Sequence, residues 1–258
     1  MTKELFIKDV MAKPVTIAKS AKVTEALDKM LDEGIDPLIA THNNSVAGTV
    51  SRQAIARKLG SKQNSGIAPT AIHVSSVIDE DFTSIYPDES INVLVPLLQC
   101  YKMVVVYDAD HRLIGQVSAG DLLKKVQPDG TPEAAMEVAV TIEADERVVH
   151  LRRRMLDDNI TRFVVTENDR IIGIVTETDV AIAMRKFREA VTGRHQDHRI
   201  RNLLVKDIMS SPLISIERGA KVSEIVDLML KKNISSMPVA EKGKLVGMVT
   251  RQSLVNAL

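Results

Sequence analysis

The sequence predicts an α/β chain of the α+β kind, assembled from four copies of one small unit. Two observations carry this prediction. A short apolar run passes through a glycine and ends on a hydroxyl residue four times: Val46-Ala-Gly-Thr-Val-Ser51, Leu113-Ile-Gly-Gln-Val-Ser118, Ile171-Ile-Gly-Ile-Val-Thr176 and Leu245-Val-Gly-Met-Val-Thr250. Upstream of each, apolar residues recur at the i, i+3, i+4, i+7, i+8 spacing of one helix face. Repeated signals at a fixed spacing mean a repeat architecture.

The elements of one unit follow in order. The first helix carries Val23, Ala26, Leu27, Met30 and Leu31 in copy 1, and Ile91, Leu94, Val95, Leu98 and Gln99 in copy 2. Copy 3 places Val148, Leu151, Arg152, Met155 and Leu156 on the stripe, and copy 4 places Val222, Ile225, Val226, Met229 and Leu230. Two polar intrusions, Gln99 and Arg152, interrupt the pattern. A second apolar run and a turn come next, as in Phe163-Val-Val-Thr166 before Glu167-Asn-Asp169, and Met237-Pro-Val-Ala240 before Glu241-Lys-Gly243. Two short strands across such a turn read as a hairpin. Each unit therefore reads strand, helix, strand, strand, helix. One such unit cannot bury both faces of its sheet, so it pairs with a neighbour. The polar stretches 60–70 and 192–202 and the turn cluster Gln127-Pro-Asp-Gly-Thr-Pro132 separate units at 7–60, 71–126, 133–190 and 203–258. The central Pro-Gly break divides them into two modules, 1–127 and 133–258.

These units resemble cystathionine β-synthase (CBS) domains, and paired units resemble Bateman modules. The resemblance rests on Lys8-Asp-Val-Met11 and Lys206-Asp-Ile-Met209, on the strand Ile234-Ser-Ser-Met-Pro-Val239, and on the glycine motif ending Ser/Thr-x-x-Asp. It covers nearly the whole chain. Copies 1 and 4 lack the final Asp, and copies 2 and 3 lack the Asp-x-Met opening. The four-unit layout is similar to the γ regulatory subunit of AMP-activated protein kinase and to stand-alone archaeal proteins. The resemblance implies a disc-like, pseudo-symmetric assembly with clefts for adenine nucleotides or S-adenosylmethionine. It further implies that the motif Asp holds ribose hydroxyls and that second-strand cations reach phosphates.

On these positions the motif ends differ. Copies 2 and 3 read Ser118-Ala-Gly-Asp121 and Thr176-Glu-Thr-Asp179, whereas copies 1 and 4 read Ser51-Arg-Gln-Ala54 and Thr250-Arg-Gln-Ser253. Only Asp121 and Asp179 offer a charged oxygen pair to a diol. The same spacing is close to a capping box, in which the acid bonds back to the N-cap amide. Aligning the second strands as Ile35-Asp-Pro-Leu38, Cys100-Tyr-Lys-Met103, Ile160-Thr-Arg-Phe163 and Ile234-Ser-Ser-Met237 puts Lys102 and Arg162 in register. These cations fall in the two copies that keep the acid; the bland alternative is snorkelling from strand ends. Tyr101, Thr161 and Val175 adjoin them. Met209, Pro212, Ile214, Ser235 and Ser236 of copy 4, and Val15, Ile35 and Asp36 of copy 1, are candidates for the adenine-side walls. Two good sites are expected, one per module.

Composition narrows the function classes. The chain has 258 residues, with 34 basic and 34 acidic, so no global charge steers it toward nucleic acid or anionic membrane. It has no Trp, three Tyr and four Phe, which argues against a base-stacking surface. The one cysteine excludes an intramolecular disulfide and fits a reducing cytoplasm. Cys100 reads as a buried small hydrophobe. The N-terminus has no apolar signal core, and no run of about 18 apolar residues suggests a membrane span. No catalytic constellation stands out, and His195-x-x-His198 alone is a weak metal signal. Arg152 and its neighbours His150, Arg153 and Arg154 read either as a basic lining between modules or as a solvated face. The expectation is a regulatory sensor of AMP, ADP or ATP without catalysis or catalytic cofactor, acting on a partner protein or a second copy. An S-adenosylmethionine sensor is the first alternative, disfavoured by Lys102 and Arg162 because that ligand is a sulfonium without phosphate. A nucleic-acid binder is the second.

Overall fold

The computed structural model describes residues 4–61, 67–168, 170–190 and 202–258. Repeat 1 opens with the short helix α1 (Ile7–Val10) and continues through β1 (Thr16–Ala18), α2 (Val23–Asp32), β2 (Leu38–His42), β3 (Ser45–Val50) and α3 (Arg52–Leu59). Repeat 2 comprises β4 (Thr83–Ile85), α4 (Leu94–Cys100), β5 (Met103–Tyr107), β6 (Leu113–Ser118) and α5 (Ala119–Leu123). Repeat 3 comprises β7 (Thr141–Glu143), α6 (Val148–Asp157), β8 (Arg162–Glu167), β9 (Arg170–Thr176) and α7 (Glu177–Ala190). Repeat 4 comprises β10 (Ile216–Glu217), α8 (Val222–Lys231), β11 (Ser236–Glu241), β12 (Lys244–Thr250) and α9 (Arg251–Asn256). Each repeat makes its own three-stranded sheet, with the first strand parallel to the second and the second antiparallel to the third.

Local chemistry sets these elements. The predicted stripe positions of α2, α6 and α8 up to i+7 are buried, apart from Arg152, which is half-buried; at i+8, Leu31 and Leu156 are exposed. A left-handed residue follows the last turn of the same three helices: Gly34 (φ 66°), Asn159 (φ 53°) and Asn233 (φ 51°). The hairpins of repeats 1 and 4 turn on Asn43-Asn44 and Lys242-Gly243, both pairs at positive φ, which matches the twist of the strands they join.

Repeat 2 departs from this pattern and corrects the strand alignment. Helix α4 is capped by Tyr101 in extended conformation, without a left-handed residue. The chain thus reaches its second strand two residues early. Met103 pairs with Ser118, as Arg162 pairs with Thr176 and Ser236 with Thr250. By register Met103, not Lys102, is the counterpart of Arg162. Lys102 matches Thr161, Ser235 and Asp36. Cys100, at the end of α4, is exposed rather than buried.

Partner repeats exchange their opening segments. Residues 7–8 of repeat 1 donate backbone hydrogen bonds to Glu89 and Pro87 of repeat 2, each at 2.9 Å. In return Val74 of repeat 2 donates to Ala21 at 2.8 Å, and Ile72 accepts from Val23 at 3.0 Å. Repeats 3 and 4 do the same: Val222 donates to Gly130 at 3.0 Å, Val148 donates to Leu203 at 2.8 Å, and Val205 donates to Glu146 at 2.8 Å. The glycine of the motif explains itself here. Each exchanged segment bridges to the residue after that glycine, as Ala12 to Gln116, Asp79 to Thr49, Glu137 to Met248 and Ser210 to Ile174. A Cβ on Gly173 would lie 2.8 Å from the Ser210 carbonyl, and one on Gly115 would lie 2.9 Å from Met11 Sδ. Backbone can approach so closely only where no side chain intervenes.

The modules meet through helices, with α3 against α7 and α9 against α5 and α4. Repeats 1 and 3 consequently share one core, in which Leu27, Met30, Leu38 and Ile55 join Leu151, Phe163, Val175 and Ala181. Repeats 2 and 4 share the other, with Leu94, Leu98 and Val104 against Ile225, Met229 and Met237. The exchanged Val74 and Val205 sit in the first core, and Ile7, Val10 and Ala135 in the second. Ile39, Met103 and Val105 form a smaller cluster between the sheets of repeats 1 and 2. The four units close into a ring in the order 1–2–4–3, with two shared cores in place of four separate ones.

Candidate functional site

Both motif acids close the first turn of their helices. Asp121 Oδ2 accepts from the Ser118 amide at 3.0 Å and the Ser118 hydroxyl at 2.6 Å. Asp179 Oδ2 accepts from the Thr176 amide at 2.7 Å and the Thr176 hydroxyl at 2.6 Å. One oxygen of each acid therefore serves the helix cap. The second oxygens differ. Asp121 Oδ1 accepts from Lys124 Nζ of its own helix at 2.9 Å, whereas Asp179 Oδ1 accepts from the Ser210 hydroxyl of repeat 4 at 2.8 Å. In repeats 1 and 4 the cap forms without an acid, through Ser51 and through the Thr250–Ser253 pair.

The exchanged segments bring the predicted walls to these acids in module 2. Ser210 pairs with Ile174, and the Ser211 hydroxyl donates to the Ile172 carbonyl at 3.1 Å, so the segment from Met209 lies along β9 above Thr176 and Asp179. Met209 packs partly buried against the core, and Pro212 and Ile214 are exposed. Arg162 Nε donates to the Thr161 hydroxyl at 3.1 Å, and its Nη1 reaches the Ser235 carbonyl of repeat 4 at 3.4 Å. Burial lowers the pKa of this guanidinium, with Glu177 and Glu137 opposing the shift. Val175 and Ser236 are buried, Val175 wholly within the core.

In module 1 the counterpart segment is tied by a residue the sequence reading passed over. Gln116, 1% exposed, accepts from the Val15 amide at 2.9 Å and pairs through its backbone with Ala12. Ile35 packs on the core. Asp36 accepts from the Arg52 amide at 3.0 Å, the place held by the carbonyls of Thr161 in repeat 3 and Ser235 in repeat 4. Tyr101 turns its hydroxyl to Asp81 at 3.2 Å. Lys102 does not reach the acid of its own repeat; its Nζ lies 3.8 Å from Glu177 Oε2 of repeat 3.

The residue after each N-cap proves to be a second set of site groups, passed over because attention fell on the acid two positions later. Arg52 and Arg251 reach back to the ends of the preceding helices, Nη2 to the Met30 carbonyl at 2.6 Å and to the Met229 carbonyl at 2.9 Å. Both bury a partnerless Nε. Arg52 Nη1 also touches Thr178 of repeat 3 at 3.4 Å, and Arg251 lies over Gly120 of repeat 2. Repeat 2 has Ala119 at this position and repeat 3 has Glu177. Burial pushes the Glu177 carboxyl up to about 7; Lys102, Arg162 and Arg57 oppose this and Asp36 adds to it.

Arg152 settles between the two sequence readings. It is half-buried on α6 with its guanidinium packed against Gly60 at the C-terminal end of α3, where the helix dipole favours a cation. It borders a cavity of about 30 Å³ with Gln53, Arg57, Met155, Glu177 and Val180, room for a water or two and not for a nucleotide. A nucleotide-sized groove of about 510 Å³ lies at repeat 1, lined by Ala54, Arg57, Lys58, Ser61 and 76–79. This groove has charged walls in Arg57, Lys58 and Asp79 but Ala54 at the motif position, so it and the motif acids Asp121 and Asp179 do not coincide.

Among the described residues no group of three or more His, Cys, Asp or Glu could hold a metal. His195 and His198 lie outside the described residues. No helix among the described residues is long and apolar enough to cross a membrane.

Comparison with known proteins agrees with this architecture. The chain is 34% identical over 125 residues to uncharacterized protein MK0525 of Methanopyrus kandleri, covering 48% of this chain and 59% of that one. It is 23% identical over 272 residues to uncharacterized protein MJ1404 of Methanocaldococcus jannaschii, covering 98% and 60%. The chain thus spans about 60% of the length of these two relatives. The crystal structure of protein MJ1225 from M. jannaschii, described as a proposed archaeal homologue of g-AMPK, superposes with a TM-score of 0.79 at 19% identity, over 97% of this chain and 99% of that one. At that identity the likeness speaks for the fold. The CBS domain model matches residues 7–61, 74–128, 134–186 and 205–258, and the chain belongs to the CBS domain family.

Proposed function

We propose that this chain is a non-catalytic regulatory sensor that binds an adenine nucleotide, AMP, ADP or ATP, at the acids Asp121 and Asp179. The ligand state would pass to a protein partner or to a second copy of the chain. The observation that carries this reading is the outer oxygen of Asp179. It is held by the Ser210 hydroxyl of the neighbouring repeat, a neutral donor of the kind a ribose diol supplies. A ribose taking that place would bond to repeat 3 while seated against the segment from repeat 4. It would thereby set how the two repeats sit, which is the differential contact a sensor needs. Arg162 and Lys102 supply cations, and the walls follow from Met209, Pro212 and Ile214.

A thermal-shift series with AMP, ADP, ATP and S-adenosylmethionine on the full chain tests this. A ligand present at about 100 times its Kd stabilises by about 2.7 kcal/mol, a rise of several degrees in Tm. At least one nucleotide is expected to produce that rise. No rise with any nucleotide at millimolar concentration, or a rise with S-adenosylmethionine alone, would overturn the reading.

A further inference from the structure

Glu177 stands apart from every other acid among the described residues. It is the first residue of α7, its amide donates to the Thr161 carbonyl at 3.1 Å, and only 8% of its surface is exposed. Its Oε1 is buried without a hydrogen-bond partner, and its Oε2 meets only Lys102 Nζ, at 3.8 Å, too long for a strong hydrogen bond. Charged groups face it from every neighbouring element: Arg57 from α3, Asp36 from the loop before β2, Lys102 from the entry to β5, Arg162 from β8, and Arg152 from α6 across the shared cavity. At the three equivalent positions stand Arg52, Ala119 and Arg251. A buried, half-satisfied carboxylate costs several kcal/mol unless it gains partners or a proton. The cations that attract it are Lys102, Arg162 and Arg57, the first two being the groups assigned above to a phosphate.

We propose that Glu177 is a specificity-determining residue for the anionic end of the ligand: a resident carboxylate beside Lys102 and Arg162 that takes up a proton from solvent when a phosphate arrives there. This rests on the nucleotide reading of the same site and deepens it. Two anions cannot share those cations in a dry centre without cost, so the stronger base of the two there, the Glu177 carboxylate raised to about 7 against a phosphate whose second pKa lies near 6, accepts the proton. The proton balance is simple: phosphate enters, Glu177 changes from carboxylate to carboxylic acid, and one proton leaves the buffer. With its carboxyl raised to about 7, Glu177 is mostly ionised in the free protein at pH 8. Binding that requires the acid form is therefore weakened about tenfold at that pH. Added phosphates bring added charge to the same point, so ATP loses more than AMP as pH rises.

Calorimetric titration of the full chain with AMP and with ATP at pH 8, in two buffers of different ionisation enthalpy, reads this directly. Nucleotide phosphates are essentially fully ionised there, their second pKa lying near 6. The parent chain is expected to take up between about half and one proton per ligand at the Arg162 site. Glu177→Gln, which keeps the shape, is expected to bind about tenfold tighter and to take up none. Binding by the parent with the same heat in both buffers would overturn the inference and leave the nucleotide reading standing. Proton uptake that persists in E177Q would also overturn it. No binding of AMP or ATP to either chain would instead bring down the nucleotide reading itself, and this inference with it.

Discussion

The two motif acids are alike in sequence and unlike in what they hold. Asp121 is answered within its own repeat by Lys124, while Asp179 is answered by Ser210 from the neighbouring repeat. An ammonium three residues along neutralises Asp121 and stays with it. A hydroxyl across the boundary between repeats 3 and 4 brings no opposite charge to Asp179 and is a replaceable partner. The position after the N-cap differs as well, with Ala119 opening the first acid's helix and Glu177 opening the second. Identical motifs thus yield one acid tied to its own helix and one placed between repeats beside a titrating carboxyl. Under the proposed nucleotide reading, module 2 is where ligand and structure would be coupled more tightly.

The largest effect expected from this asymmetry is on stability against pH. The Glu177 carboxyl is raised from 4.5 to about 7 in the folded chain. The folded state therefore binds more protons than the unfolded state between these values, and stability falls as pH rises through that window. The loss is complete above it, on the order of 3 kcal/mol. Glu177→Gln removes the dependence. Urea unfolding of parent and variant is expected to show a gap between them that opens from pH 5 to pH 8; parallel curves would remove Glu177 from the account.

A smaller effect separates the acids in binding. Asp179→Ala is expected to weaken nucleotide affinity by about 1–3 kcal/mol, the cost of charge-assisted bonds, and Asp121→Ala by less. Calorimetry on the two variants checks the order, and equal losses would erase the distinction between modules. The smallest effect belongs to Lys124→Ala. Its ion pair is half-exposed and worth at most about 1 kcal/mol, so releasing Asp121 should tighten module 1 binding by no more than about fivefold. Weaker binding instead would make Lys124 a ligand contact and reverse the comparison.

The repeat, its sheet and its hairpins were legible because they are local: a 3.6-residue stripe, a turn between two short apolar runs and a glycine recur along the chain. The pairing into two modules was legible from the central Pro-Gly break. The shared cores of repeats 1 with 3 and 2 with 4 were not, since both result from helices packing across the ring. The alignment of Lys102 with Arg162 failed by one position because the connection after α4 lacks the left-handed residue and is two residues shorter than its counterparts, and Lys102 lies toward Glu177. The same shift leaves Cys100 at an exposed helix end. Asp121 and Asp179 showed in the motif as either cap or ligand; the structure gives one oxygen of each to the cap and the other to Lys124 or to Ser210. Glu177, Arg52 and Arg251 were in plain view one residue after the N-cap, yet their significance is their burial, which only the assembled ring reveals.

The traded opening segments have a consequence for inheritance. A repeat cut out alone would leave its own first residues with nowhere to dock and its own flank bare. The smallest piece of this chain whose opening segments all find a dock is therefore a pair, and because both cores span the two pairs, that piece still needs a second pair against it. A gene carrying one repeat would have to rely on two copies of its product meeting, each lending the other its beginning.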